Sequence, residues 1–100
     1  VDQLTVGTGG TAIAKHLSAV SAPYDPANLS TGSQISLNVT LTGAVVGDIV
    51  VAAFSQPLQG MMVSANVNAV DTVEIVIVNP GSNSAVDLDT GTFRISIWQY

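Results

Sequence analysis

A chain of 100 residues without cysteine is long enough for one hydrophobic core, and it offers neither a disulfide framework nor thiol chemistry. Only 9% of its residues are charged and 47% are hydrophobic, with a formal net charge of -5, whereas about 25% charged residues is usual in a soluble domain. Lys15 and Arg94 are the only Lys and Arg, too few to neutralise a row of phosphates, so nucleic acids and anionic membranes are excluded as partners.

A domain this small leaves much of its chain exposed, and with so few charges its surface has to be built from Ser, Thr, Asn, Gln, Ala and Val. Such a surface is only modestly soluble alone. Part of it is therefore expected to be covered by another chain.

Residues 1–11 contain Gly7, Gly9 and Gly10 among three Thr residues, a composition that resists burial and allows wide backbone freedom. They read as a flexible N-terminal arm, either a segment that reaches onto a neighbouring subunit or a frayed terminus, ahead of a single β domain over residues 12–100. Leu4 and Val6 of this arm are candidate interface residues. The segment has neither the basic start nor the apolar core of a secretory signal. Its glycines are not followed by the Lys-Ser/Thr pair of a phosphate-binding loop.

Residues 14–21 alternate as a first strand, with Ile13, Leu17 and Ala19 inward and His16 outward. Pro23 and Pro26 end it, because proline removes ladder donors. In residues 34–42 every second position is apolar, the period of a strand with one dry and one wet face, and Leu37 at its centre is expected to be buried. Residues 43–48 form a turn. Residues 49–54 (Ile, Val, Val, Ala, Ala, Phe) are continuously apolar, which predicts a strand covered on both sides. The whole apolar region, residues 43–54, is far shorter than the roughly 20 residues that span a bilayer.

A loop with Pro57 and Gly60 leads to residues 61–69, where Met61, Val63, Ala65 and Val67 alternate with polar positions. Val70 and Asp71 make a tight connection to residues 72–79, whose Val73, Ile75 and Ile77 share one face. Its other face carries Val76 and Val78, two valines where a wet face should be polar, so both are candidate interface residues. The loop over residues 79–91 carries Pro80, Gly81, Asn83, Asp87 and Asp89. The two aspartates read as turn chemistry, since the further oxygen ligands and closing Glu of a calcium loop are missing. Residues 92–98 place Phe93, Ile95 and Ile97 inward and Arg94, Ser96, Trp98 and Tyr100 outward. Trp98 and Tyr100 are large amphipathic groups that usually find cover, and they complete the interface candidates.

Six such segments, in a fold of six to eight strands with Gly or Pro turns and no helix-period stretch, predict an all-β domain. It reads as a small antiparallel β-sandwich or barrel with an extended N-terminal arm, and sequential hairpins are the default connection.

No enzyme is expected. His16 is the only histidine, no Gly-x-Ser-x-Gly turn exists, and one His without Cys cannot supply a zinc site. Asp25, Asp48, Asp71, Asp87 and Asp89 each stand beside a Gly, Pro or turn, where Asp is favoured for backbone reasons. No cofactor or metal is implied. Asn28 and Asn38 head glycosylation-type triplets, and Asn38 is better explained as the wet face of a strand.

Three stretches carry a resemblance. Gly10-Thr11-Ala12-Ile13 with Leu17-Ser18-Ala19, the block from Leu37 through Val39-Thr40-Leu41-Thr42-Gly43-Ala44-Val45-Val46-Gly47-Asp48, and the closing Phe93-Arg94-Ile95-Ser96-Ile97-Trp98 together resemble a small all-β domain of tailed-phage virion structural proteins. The resemblance covers most of the chain and departs at Pro23-Tyr24-Asp25-Pro26, where the family has a more uniform Ala/Thr loop. It implies a capsid decoration (cement) protein that binds and stabilises the head lattice, often as a homotrimer, with the major capsid protein or another virion protein as partner and the virion as location. The alternative is a fibre or tail-appendage domain that recognises host carbohydrate, with Tyr24, Trp98 or Tyr100 as stacking platforms; the scarcity of aromatics, 5% of the residues, favours the structural reading.

Overall fold

Alternating apolar residues become the inner faces of two antiparallel sheets. The computed structural model describes residues 3–81 and 84–100; Val1 and Asp2 of the arm and Ser82 and Asn83 of the loop after residue 79 lie outside them. Six strands form: β1 (Lys15–Val20), β2 (Gln34–Thr40), β3 (Ile49–Phe54), β4 (Met62–Ala69), β5 (Thr72–Val78) and β6 (Phe93–Gln99). One sheet has the order β1-β6-β3 and the other β2-β5-β4. The domain is an all-β sandwich. Its core draws on both sheets, with Val73, Ile75 and Ile77 of β5 against Phe93, Ile95 and Ile97 of β6, all fully buried. Burial of each such side chain contributes roughly 1.5 to 3 kcal/mol.

The connections differ from the expected series of hairpins. Only β4 and β5 are neighbours both in sequence and in a sheet. Their two-residue link works because Asp71 adopts a positive φ of 60°, a conformation that Asp tolerates better than most residues. Every other connection crosses between sheets, so the central strand β6 is flanked on both sides, and β5 on one side, by strands distant in sequence. Strand β3 also departs from expectation: it is an edge strand, paired only with β6, and Ile49, Val51 and Ala53 are exposed. A continuous apolar run signals two apolar faces, and here one of them meets solvent. Leu37, on edge strand β2, is half-buried rather than buried, for the same reason.

Hydrogen bonds fasten both ends. At one end the Gly43 N–H donates to Asp71 Oδ1 (2.8 Å), and Asp48 Oδ2 accepts from the Val45 N–H (2.9 Å) and from Gln99 Nε2 (2.8 Å). Asp48 and Asp71 thus serve turns, as their neighbours in sequence imply. Gly43 has a φ of 97°, and a Cβ there would come within 3.2 Å of Leu17 Cδ1, so the turn needs glycine. At the start of β6 the Phe93 N–H donates to Ser21 Oγ (2.8 Å) and the Thr92 N–H to Ser55 Oγ (2.8 Å). The serines that follow the two edge strands therefore clasp the central one from both sides.

Beyond that clasp the long loops pair with each other, Tyr24 with Gly91 and Leu29 with Val86. Asn79, fully buried, holds them: its Nδ2 donates to the carbonyls of Leu29 and Ser84, both at 3.0 Å. Near the N-terminus Leu4 and Ile13 exchange two backbone hydrogen bonds (3.1 and 2.7 Å), so the described part of the arm doubles back beside the start of β1.

The Asn79 clamp predicts a severe substitution. Asn79→Asp removes both donors and places a carboxylate against two carbonyl oxygens in the core. It should cost about 3 to 5 kcal/mol at neutral pH, the penalty of an uncompensated buried charge. Burial raises the carboxyl pKa above its unfolded value, so part of the loss should be recovered as the pH falls and the group is neutralised. Urea unfolding of both proteins at pH 7 and pH 4 measures this; equal stability at pH 7 would remove the clamp from the account.

Candidate interaction surface

The period that fills the core also fixes what lies outside. On β1-β6-β3 the pairing register sets three outward rows: His16, Trp98 and Ile49; Ser18, Ser96 and Val51; Val20, Arg94 and Ala53. On β2-β5-β4 the corresponding rows are Gln34, Val78 and Met62; Ser36, Val76 and Ser64; Asn38, Glu74 and Asn66. Side chains along the central strand of each face stand two residues, or about 7 Å, apart.

Trp98 is the largest group on the first face. The His16 ring lies against it, with centroids 4.2 Å apart and planes tilted by 32°. His16 Nε2 also hydrogen-bonds with Ser96 Oγ at 2.6 Å, which holds the imidazole over the indole. A shallow hollow opens on either side. One of about 210 Å³ is lined by Leu4, Ile13, Lys15, His16 and Trp98 among others. The other, of about 380 Å³, is lined by Val45, Asp48, Ile49, Trp98 and Tyr100 among others.

The six interface candidates separate into three sets. Leu4, Trp98 and Tyr100 gather around these hollows, with Tyr100 67% exposed and Trp98 half-buried. Val6 is 71% exposed in the arm. Val76 and Val78 lie half-buried on the opposite face. Sequence reasoning missed Ile49 and Val51, both exposed beside β6, and Val20, Val45, Val46 and Met62, exposed as well. Residues 49–54 are apolar on both faces, so nothing in the sequence marks which set the edge position leaves open.

Tyr24 does not join Trp98. Its ring packs on Phe93, at 6.3 Å between centroids, at the other end of β6. Among the described residues no group of three or more His, Cys, Asp or Glu could hold a metal ion, and no helix is long and apolar enough to cross a membrane. Compared with family models, curated proteins and solved structures, the chain matches none.

His16 therefore reads as a surface partner of Trp98. His16→Ala should lower stability by no more than about 1.5 kcal/mol, the usual range for a ring contact, and should shift Trp98 fluorescence to the red as the indole gains water. Thermal unfolding and emission spectra of the two proteins test this; an unchanged spectrum or a loss of several kcal/mol would contradict it.

Proposed function

We propose that this chain is a structural protein of tailed-phage virions, a capsid decoration protein that binds and stabilises the head lattice as a homo-oligomer, with a trimer as the expected state. One observation carries the reading: both outer sheet faces are nearly uncharged and set apolar groups among small polar ones, with Trp98, Ile49 and Val51 on one and Val76, Val78 and Met62 on the other. Surfaces of this kind mark contacts with other proteins. The shape supports it. A radius of gyration of 15.6 Å with extents of 48 × 26 × 20 Å exceeds the about 13 Å of an ordinary domain of this length, so more of the chain is available to neighbours. The resemblance of the Leu37–Asp48 block and the closing strand to virion domains supplies the setting.

A fibre or tail-appendage role is the second reading. It is favoured by the two hollows beside Trp98, whose exposed rim could stack on a sugar ring.

The two readings part in one experiment. Purified chain is mixed with phage heads that lack it, and separately with host surface polysaccharide. A decoration protein should sediment with the heads and raise their temperature of disruption while leaving the polysaccharide unbound. Binding to polysaccharide alone, with heads untouched, would overturn the capsid reading.

A further inference from the structure

The two outer faces differ in charge in a way that selects how copies meet. Arg94 is the only arginine or lysine in the outward rows of β1-β6-β3, and Glu74 is the only carboxylate in those of β2-β5-β4. Neither side chain has a hydrogen-bond or ion-pair partner among the described residues. If either face packed on its own copy about a two-fold axis along the strands, like charges would be drawn together; about an axis across them, each charge would face the apolar end of the other copy and stay uncompensated, and both disfavour that contact.

We propose that the β1-β6-β3 face of one copy docks on the β2-β5-β4 face of a second copy, head to tail, with Arg94 against Glu74. The spacing along the central strands supports the pairing. Trp98 follows Arg94 by four residues on β6, and Val78 follows Glu74 by four on β5, so both pairs span about 13 Å. With the two strands aligned, Arg94 meets Glu74, Ser96 meets Val76, and Trp98 meets Val78 with Met62 beside it. Reversing one strand sets Arg94 against Val78 and leaves both charges uncompensated.

The area sets the strength. Three strands about 4.8 Å apart and seven residues long cover roughly 300 Å² per partner, well under the about 800 Å² of a stable interface. The contact is therefore weak between free chains and becomes effective when neighbours are held close, as on a lattice. In that respect it rests on the proposed decoration role. The same patch is not reused symmetrically, so successive copies can continue the contact.

Charge reversal tests the proposal on the full chain. Sedimentation at up to about 1 mM and low salt, where surface charges are least screened, should show mass increasing with concentration. Arg94→Glu alone and Glu74→Arg alone should each weaken association by about tenfold or more, because each brings like charges together. An equimolar mixture of the two variants should restore it, since every alternating contact is again complementary. A two-fold contact through one face would leave one single variant unaffected, and that result overturns the proposal. So does a wild-type chain that stays monomeric throughout, or association that neither reversal weakens. Binding to phage heads, measured separately, is unaffected by these outcomes and decides the decoration role on its own.

Discussion

The domain depends on the packing of two central strands across the gap between sheets. Val73, Ile75 and Ile77 meet Phe93, Ile95 and Ile97 there, and none of the six retains solvent exposure. Branched side chains in that position are stiff and well suited to a pleated surface, so they fill the gap without losing much rotamer freedom. The four flanking strands add half-buried residues such as Leu17, Leu37, Val50 and Val63 around this centre. Stability is therefore graded from the middle outward, and the outer layer is free to serve contact.

That arrangement explains the low charge. With three strands per sheet, almost every residue is near an outer face or an edge, and a soluble domain would place charges on both. This chain places Ser, Asn, Val and Ala there, and it spends its aspartates on turns: Asp48 and Asp71 accept backbone N–H groups that the loops would otherwise leave unpaired. Charge is kept where it shapes the backbone and withheld from the faces. The lone Arg94 and Glu74 are the exceptions, and they stand on opposite sides.

Strand positions were legible because alternation is a local signal: the stretches around Ile35–Val39, Val63–Val67 and Val73–Ile77 announce their faces without reference to the rest of the chain. The order of strands was not legible. It depends on Ser21 and Ser55 reaching the start of β6 and on Asn79 joining two loops, contacts between positions far apart in sequence. The edge position of β3 was hidden for a related reason, since a strand carrying Val and Ala on both faces reads alike at the centre or the margin of a sheet. At the candidate surface, Trp98 and Tyr100 were recognisable as outward aromatics. The His16 ring over Trp98 was not, because it follows from the register between β1 and β6.

The claim that both outer faces are covered in the assembled state can be measured at two neighbouring methionines. Met62 is 62% exposed on the β2-β5-β4 face, while Met61 is 5% exposed in the core, and Trp98 reports on the opposite face. Hydroxyl-radical labelling of the free chain, compared with the same chain in intact particles, reads all three at once. The account predicts that Met62 and Trp98 are modified readily in the free chain and strongly protected in the particle, with Met61 slow in both. Equal labelling of Met62 and Trp98 in the free and assembled states would contradict it.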